Sequence, residues 1–295
     1  MRTPRHFLFC GMAVVSLLCL RAPADSLEQA AAGASILSKA LTFHASFDRV
    51  ADADFALGDR RIYTATSYKK REDTQPGIGN PDVVLAPEKG RFGGALEFKK
   101  KNTKAIFFKA ERNVSYNSKS WSGTVSFWLS LDPDRDLDPG YCDPIQVTDE
   151  DYNDAALWVD FSKDEKPRLF RLGVFGDLKA WNPKGVEPDK NPDFVRRLVV
   201  VTRPPFARGQ WTHVVIVHSG LNTETGAAKL YLNGKLQGTK EIREPFTWDL
   251  SRAAIRLGLN YTGLYDDLAV FSRELNEKEV DGLHRLGKGA ASLHP

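Results

Sequence analysis

From Leu41 onward the chain is dominated by short runs in which apolar and polar residues alternate. Such runs, rich in β-branched and aromatic residues, predict strands, because an amphipathic helix would repeat its apolar residues every three to four positions. Glycine, proline, asparagine and aspartate separate the runs, and Asn233-Gly234 predicts a type I′ hairpin turn between two of them. The pattern predicts an all-β protein, a jelly-roll sandwich of two antiparallel sheets. The runs include LTFHASF, GALEF, KAIFF, GTVSFWLSL, AALWVDF, RLFRLGVF, WTHVVIVH, AKLYLNGK, AAIRLGL and DDLAVF.

The C-terminal segment LNEKEVDGLHRLGKG has the pattern of a helix. Asn276 stands at the N-cap, and Glu279 follows three residues later, as in a capping box. Leu275 and Val280 occupy the positions of a hydrophobic staple. Gly287 is placed to end the helix. We therefore expect one short C-terminal helix packed on the sandwich.

The N-terminus, MRTPRHFLFCGMAVVSLLCLRAPADS, has the three parts of a secretory signal peptide: a basic start, an apolar core and a small-x-small cleavage site. The alternative is a membrane anchor, but the apolar core is short for a transmembrane span. We predict a signal peptide at residues 1–24, a leader arm or loose helix at 25–40, and one domain at 41–290. The mature protein should then be secreted or extracytoplasmic, with no transmembrane segment.

The charge of the chain changes when the signal peptide is removed. The full sequence has 41 Lys and Arg against 38 Asp and Glu. Three arginines and no acid leave with residues 1–24, so the mature chain is balanced. Nothing in this balance indicates a nucleic-acid partner.

Two histidines flank a strand in QWTHVVIVHS. Side chains alternate between the two faces of a strand, so His213 and His218, five positions apart, should point to opposite sides of the sheet. This spacing excludes a metal site built from these two residues on one strand.

Six segments, taken in order, resemble a known family: LTFHASFD, GRFGGALEF, WSGTVSFWLSL, GQWTHVVIVHSG, AKLYLNGKLQG and LGLNYTGLYDDLAVFSRELNEKEV. They resemble the laminin-G-like jelly roll of the concanavalin A-like lectin/glucanase superfamily, over roughly residues 41–287. The resemblance implies the jelly-roll fold. It leaves the function open, because this fold is found in lectins, adhesion modules and enzymes. One departure is the segment TSYKKREDTQPGIGNPD, which lacks the Asp-x-Ser-Gly-Asn-Gly-type motif of many relatives.

No catalytic motif of the superfamily is found in the sequence. Its laminarinase-like enzymes carry E-x-D-x-x-E on one strand, where alternation places the carboxylates on one face. Glu187-Pro188-Asp189 and Glu279-Val280-Asp281 begin such a motif without completing it. This favours a protein that is not an enzyme, although an acid pair assembled from distant strands stays open.

Candidate ligand-binding residues follow from the chemistry of sugars, whose C–H faces pack on aromatic rings. In TVSFWLSL, Trp128 lies on the polar face of the strand and is a candidate sugar platform. In AALWVDF, Trp158 and Asp160 share one face, and Tyr141 and Trp181 lie in loops where they could form a rim. The alternative is that Trp128 and Trp158 cover the second side of a curved sheet.

The resemblance also implies a candidate structural Ca²⁺ site. Asp266 and Asp267 stand at the family's D-D pair, and Asp48 ends the first strand. Oxygen ligands suit Ca²⁺. The alternative is that one of these carboxylates accepts hydrogen bonds from backbone groups at a sheet edge. The acidic segment LDPDRDLDPGYCDP lacks the glycine that an EF-hand requires and favours a solvated loop.

The sequence thus predicts an exported, non-catalytic recognition module, with a polysaccharide or glycan as partner and Ca²⁺ as a structural cofactor. Two alternatives remain at this point. One is a hydrolase or lyase of the concanavalin A-like clan that acts on polysaccharide. The other is an adhesion module that binds an extracellular protein.

Overall fold

The computed structural model describes residues 33–294, which form two antiparallel sheets packed face to face. The two-sheet sandwich predicted from the alternating pattern is therefore confirmed. Sheet A has the order β15-β14-β13-β8-β17-β1-β2, with β6 paired to β17 and β5 paired to β6. Its strands are β1 (Leu41–Ala45), β2 (Phe55–Ala56), β5 (Val83–Ala86), β6 (Ala95–Phe98), β8 (Trp121–Ser130), β13 (Thr212–Leu221), β14 (Ala227–Leu232), β15 (Lys235–Glu241) and β17 (Gly263–Phe271).

Sheet B has the order β12-β11-β10-β9-β16-β7-β3-β4. Its strands are β3 (Ile62–Ala65), β4 (Gln75–Pro76), β7 (Ala105–Lys109), β9 (Cys142–Thr148), β10 (Ala156–Phe161), β11 (Phe170–Phe175), β12 (Val199–Val201) and β16 (Ala254–Leu259). The long strands β9, β10, β11 and β16 lie side by side, so sheet B has a broad central surface on each side.

The main core lies between the sheets and is built by alternation along the strands. In β8, Val125, Phe127 and Leu129 point into it, and in β10 Leu157 and Val159 do the same. Each such side chain contributes about 1.5–3 kcal/mol when fully buried. The residues between them necessarily point outward, which places Trp158 on the outer face of sheet B.

Helices are few and short. They are α1 (residues 33–40), α2 (Pro133–Asp136), α3 (Leu178–Trp181), α4 (Pro192–Arg196) and α5 (Glu277–His284), with 3-10 turns at Pro188–Lys190 and Gly289–Leu293. The predicted C-terminal helix is α5, and its capping box between Asn276 and Glu279 is confirmed. The helix ends at His284 with Arg285 as its C-cap, earlier than Gly287 would place it.

The outer faces of the two sheets differ. Helices α1 and α5 and the last 3-10 turn cover sheet A, where Leu37, Val280 and Leu293 join a second apolar cluster. Sheet B is covered only in part, by the segment 176–198 that contains α3 and α4 and by the loop 66–74. Sheet B is therefore the less covered of the two outer faces.

Several sequence expectations concern the ends of the chain. The predicted signal peptide, residues 1–24, and the first part of the leader arm lie outside the described residues. The rest of the arm is helix α1, in which Leu37 and Ala40 are buried. Among residues 33–294, none of the helices has the length and apolar character needed to cross a membrane.

The hairpin and the two histidines behave as predicted. Asn233 and Gly234 have φ values of 50° and 76°, and they connect β14 to β15. His218 points into the main core, with its ring 4.5 Å from that of Trp121, and His213 points outward and stacks 4.6 Å from Trp128. The two imidazoles are thus on opposite faces of β13.

Candidate functional site

A row of outward-pointing side chains crosses the outer face of sheet B. Strand register places Trp158 beside Gln146, Gln146 beside Arg256, Arg256 beside Phe107, and Phe107 beside Tyr63. These five residues belong to five adjacent strands, β10, β9, β16, β7 and β3. Because neighbouring strands are about 4.8 Å apart, the row extends over about 19 Å.

A cleft of about 230 Å³, here called cleft 1, opens at the Trp158 end of this row. The segment 176–198 forms one wall of the cleft, with Pro188 and Phe194 facing inward. Its volume falls just below the range of about 300–1,000 Å³ typical of drug-sized ligands, so it suits a single small ring. The lining residues are Tyr141, Asp143, Gln146, Tyr152, Trp158, Asp160, Arg171, Pro188, Phe194, Leu259 and Asn260.

Trp158 forms the aromatic floor of cleft 1 because its neighbour on β11 is a glycine. A Cβ on Gly173 would lie 2.7 Å from Cη2 of Trp158 and closer still to Cζ2 and Cε2. The indole can therefore lie flat on the sheet. Its Nε1 donates to the carbonyl of Tyr152 at 2.6 Å, and its ring stacks on Phe175 with centroids 6.0 Å apart. These contacts fix the orientation of the ring.

An ion pair forms the polar side of cleft 1. Nε of Arg171 donates to Oδ1 of Asp160 at 2.7 Å, and Nη2 donates to Oδ2, so the pair is bidentate. The guanidinium also lies 4.7 Å from the centroid of the Tyr141 ring. Bidentate Arg–carboxylate pairs have a fixed geometry, so this pair holds Tyr141 and the mouth of the cleft in place.

A second acid, Asp143, lies beside this pair. Burial, together with the negative charge of Asp160, raises the pKa of Asp143 to about 8. Gln146 donates its amide to Oδ2 of Asp143 and opposes the shift. Burial also raises the pKa of Asp160, but the bonds from Arg171 work against this. We infer that the proton stays on Asp143, since Asp160 pairs with the cation of Arg171 whereas Asp143 accepts from the neutral amide of Gln146.

The structure brings together three of the five predicted ligand-binding residues. Tyr141, Trp158 and Asp160 all line cleft 1. Trp181 lies behind the wall, with its ring 5.0 Å from that of Phe175 and its Nε1 donating to Asn153, so it supports the site without lining it.

Trp128 is far from this group, on sheet A. It points away from the main core, as alternation predicts, but α5 covers it and leaves it 2 % exposed. His213 and His284 stack on its ring at 4.6 and 5.3 Å. Trp158 is equally buried, at 2 % exposed, so exposure does not separate the two rings; what distinguishes Trp158 is that it lies at the bottom of a cleft shared with Tyr141 and Asp160. The alternation of β8 showed the direction of the side chain but gave no information on the helix above it.

The three predicted calcium ligands have backbone N–H groups and a histidine as partners. Asp48 accepts from Gly94 at 2.8 Å, and Asp266 accepts from Arg91 at 2.6 Å and from Phe92 at 3.1 Å. Both carboxylates therefore hold the same glycine-rich turn, which is the alternative that the sequence left open.

Asp267 accepts from the N–H of Ala290 and lies 2.8 Å from Nε2 of His44. Hydrogen-bond donors thus contact Oδ1 of Asp48, Oδ2 of Asp266 and both oxygens of Asp267. In addition, residues 33–294 contain no group of three or more His, Cys, Asp or Glu side chains able to hold a metal. The contacts described do not fit a shared Ca²⁺ site, and calcium binding stays a prediction.

The acidic segment forms an ordered turn around α2. Asp132 caps the helix by accepting from the N–H of Asp134, whose own carboxylate accepts from the N–H of Arg168 at 2.8 Å. Asp136 forms an ion pair with Arg208. The carboxylates are therefore used in caps and pairs. Asp143, at the end of the segment, is the one that reaches cleft 1.

Comparison with known proteins places the chain in a family. Residues 108–281 match the sequence model described as the concanavalin A-like lectin/glucanases superfamily. The chain belongs to this superfamily. The match spans β8 to α5 and therefore includes the strands that build cleft 1. A comparison with curated protein sequences gives no match.

Solved structures share the fold of this superfamily member at low sequence identity. Domain 4 of a GH43 extracellular arabinanase from Geobacillus stearothermophilus, in complex with arabinotriose, has a TM-score of 0.53 and 19 % identity, over 83 % of this chain and 98 % of that one. The botulinum neurotoxin serotype D binding domain has a TM-score of 0.54 and 13 % identity, over 85 % of this chain and 52 % of that one. The same domain in complex with N-acetylneuraminic acid gives 0.53 and 11 %. The present chain thus corresponds to about half of the neurotoxin domain. These likenesses show a shared fold.

Sequence reasoning missed the polar half of cleft 1: Asp143, Gln146, Arg171 and Asn260. Arg171 and Asp160 pair across neighbouring strands, and this register cannot be read from separate runs. A local signal did exist in RLFRLGVF, where Arg171 and Gly173 lie on the same outward face. This signal would have indicated an ion pair across two strands, next to a contact between a glycine and a tryptophan.

Proposed function

We propose that this protein is an exported carbohydrate-binding module and that cleft 1 is its sugar site. The observation that supports this most directly is the convergence of the Tyr141 and Trp158 rings with Asp143, Gln146 and Asn260 in one small cleft. A pyranose needs an aromatic surface for its C–H face together with donors and acceptors for its hydroxyls, and this set offers both. A protonated Asp143 both donates and accepts, which suits a neutral hydroxyl.

The size of cleft 1 indicates how a sugar would bind. A volume of about 230 Å³ accommodates one ring, and the wall formed by Pro188 and Phe194 closes one side. A polysaccharide would then insert one ring here, with the rest of the chain lying outside. Two proteins of the same fold are sugar complexes, the arabinanase domain with arabinotriose and the serotype D domain with N-acetylneuraminic acid. They support the proposal by analogy of fold.

Export is part of the same proposal and rests on the N-terminal sequence. If residues 1–24 are a signal peptide, the protein recovered outside the cytoplasm should begin at Asp25. Mass spectrometry of that protein checks this. A full-length N-terminus would instead support the membrane-anchor alternative.

Tyr141→Ala should weaken sugar binding about tenfold, since an aromatic residue at the mouth of a cleft contributes more than 1 kcal/mol to binding. Retention on a panel of immobilised polysaccharides identifies the ligand, and calorimetry then gives the affinity of both proteins. Trp211→Ala is the matched control, because Trp211 is a half-buried aromatic residue on the side of sheet A. An equal loss in both variants, or none in Tyr141→Ala, would contradict the assignment of cleft 1.

A hydrolase is the second candidate, favoured by the two neighbouring acids in cleft 1. A protonated Asp143 beside an ionised Asp160 resembles the acid and carboxylate that glycosidases use. However, both oxygens of Asp160 accept hydrogen bonds from Arg171 and the residue is only 3 % exposed, which lowers its reactivity as a base or nucleophile. We therefore favour binding. Release of soluble reducing sugar from a retained polysaccharide, abolished by Asp143→Asn, would establish the enzyme instead.

A further inference from the structure

A second cleft opens at the other end of the row on sheet B, and we call it the basic cleft. Its volume is about 520 Å³. Tyr63 and Phe107 form the floor, stacked with centroids 5.8 Å apart and an interplanar angle of 24°. The charged lining residues are Lys69, Arg71, Glu72, Lys109 and Arg252. Four of these carry a positive charge and one a negative charge.

The positive charges of the basic cleft are poorly neutralised by the protein. Both Nη atoms of Arg71 donate to backbone carbonyls, those of Arg252 and Asp149, and no carboxylate pairs with it among the described contacts. Lys69 is 4.0 Å from its nearest acid, and both partners are exposed. Exposed pairs of this kind contribute little, so these cations can bind another anion.

Lys109 and Arg252 share their acids with other groups or with solvent. Nζ of Lys109 lies 3.8 Å from Asp59, but that carboxylate already accepts from Arg61 and from the hydroxyl of Tyr63. Arg252 pairs with Glu150 at 2.6 Å, where both side chains are about half exposed. The lining of the basic cleft carries four cations against Glu72, with Asp149, Glu150 and Asp249 close to Arg71, and an approaching anion would meet the excess of positive charge in the lining.

The side chain of Arg256 carries a buried charge between the two clefts. It is 2 % exposed, and the ring of Tyr68 lies 4.7 Å from its guanidinium. Nη2 donates to the carbonyl of Glu150, while Nε has no hydrogen-bond partner within residues 33–294. Burial and the nearby charge of Arg71 lower the pKa of Arg256 to about 10, against the opposing effects of Tyr68, Asp151 and Asp149. A buried guanidinium without a carboxylate partner is unfavourable, and an anion bound close by would offset that cost.

Resting on the proposed function of cleft 1, we propose that the ligand is an anionic polysaccharide whose carboxylate or sulfate groups bind in the basic cleft. Its chain crosses the outer surface above the row, whose central residues Gln146 and Arg256 are 3 % and 2 % exposed, and it places one ring in cleft 1 and its acidic groups at Arg71 and Lys109. Tyr63 and Phe107 provide an apolar surface below, and the charge of Arg256 lies between the two clefts. The row extends over about 19 Å, which spans several sugar rings.

Matched pairs of polysaccharides test this with the full chain. Polygalacturonate is compared with its fully methyl-esterified form, and dextran sulfate with dextran, at two salt concentrations. The anionic member of at least one pair should bind at least tenfold more tightly, with an affinity that falls as salt rises, because charge-assisted hydrogen bonds are lost with the charge. The two pairs also distinguish a carboxylate from a sulfate.

Variants locate the anion. Arg71→Gln and Lys109→Gln should each reduce binding of the anionic ligand about tenfold, and Lys278→Gln, an exposed charge on α5, should leave it unchanged. Lys109 lies outside the loop 66–74, so Lys109→Gln tests the loss of charge without changing that loop. Arg71→Lys keeps the positive charge and should restore part of the affinity that Arg71→Gln loses.

Two results would overturn the inference. In the first, the charged and the neutral polysaccharide of each pair bind equally well, and Tyr141→Ala still weakens their binding. This result leaves the proposed function intact. The other is anion binding that is insensitive to both Gln variants, which places the anion elsewhere. Absence of binding to every polysaccharide would overturn the proposed function together with this inference.

Discussion

Asp143→Asn is expected to stabilise the folded protein by about 3–5 kcal/mol at pH 8 and to have almost no effect on stability at pH 4. The ordinary pKa of an aspartate is 3.8, and burial next to Asp160 raises that of Asp143 to about 8. The Asp143 side chain of the wild type must therefore either keep its proton or be buried as a charged carboxylate. The neutral amide of asparagine avoids both costs. Asparagine still offers an acceptor to Gln146, so the local hydrogen bond is retained.

The sign of the pH dependence follows from proton counting. Between pH 3.8 and pH 8 the folded wild type binds one more proton at Asp143 than the unfolded chain does. The free energy of unfolding contributed by this group therefore falls as pH rises through that interval, and the loss is complete above pH 8. Asparagine does not titrate, so the advantage of the variant grows across the same interval.

Urea unfolding of both proteins at pH 4, 6 and 8 measures this difference. Asp164→Asn is the control, because Asp164 is exposed and its replacement should change stability by less than about 0.5 kcal/mol at each pH. A difference between wild type and Asp143→Asn that is the same at all three pH values would show that Asp143 does not retain its proton in the fold.

The fold was largely predictable, because its determinants are local. Alternation in TVSFWLSL and AALWVDF gave the correct inward faces of β8 and β10, and the Asn233-Gly234 turn and the capping box of α5 depend on neighbouring residues only. What covers each sheet was not predictable in the same way. Trp128 and Trp158 both point outward and both are only 2 % exposed, because α5 covers the first and Phe194 of α4 packs beside the second, and neither cover could be deduced from the alternation.

The site was predictable in its aromatic part and not in its charged part. Trp158 and Asp160 share a strand, so their common face could be deduced from spacing. The partner of Asp160 comes from the next strand, and the proton on Asp143 depends on burial and on a register shift between β9 and β10. Such properties arise from tertiary packing, since the effective dielectric environment of a carboxyl is not a function of its sequence neighbours.

Gly173→Ala is expected to remove sugar binding at cleft 1 and to destabilise the fold by about 1–3 kcal/mol, the usual cost of forcing an extra methyl into a packed site. The new Cβ would lie 2.7 Å or less from three atoms of the Trp158 ring. The indole must then lift off the sheet, which breaks its bond to the carbonyl of Tyr152 and its stacking on Phe175. Calorimetry with the identified polysaccharide and urea unfolding measure the two effects.

Two further variants separate the proposed cause from a general effect of replacing glycine. Gly282→Ala in α5 makes the same chemical change where nothing lies within 4 Å of the new methyl, and it should preserve binding and raise stability by up to about 1 kcal/mol. Trp158→Phe combined with Gly173→Ala replaces the clashing ring with a smaller one. The double variant should therefore be more stable than the sum of the single effects predicts. If Gly173→Ala binds sugar as the wild type does, Trp158 is not the floor of the binding site, and the outer face of sheet B must recognise its ligand through the basic cleft alone.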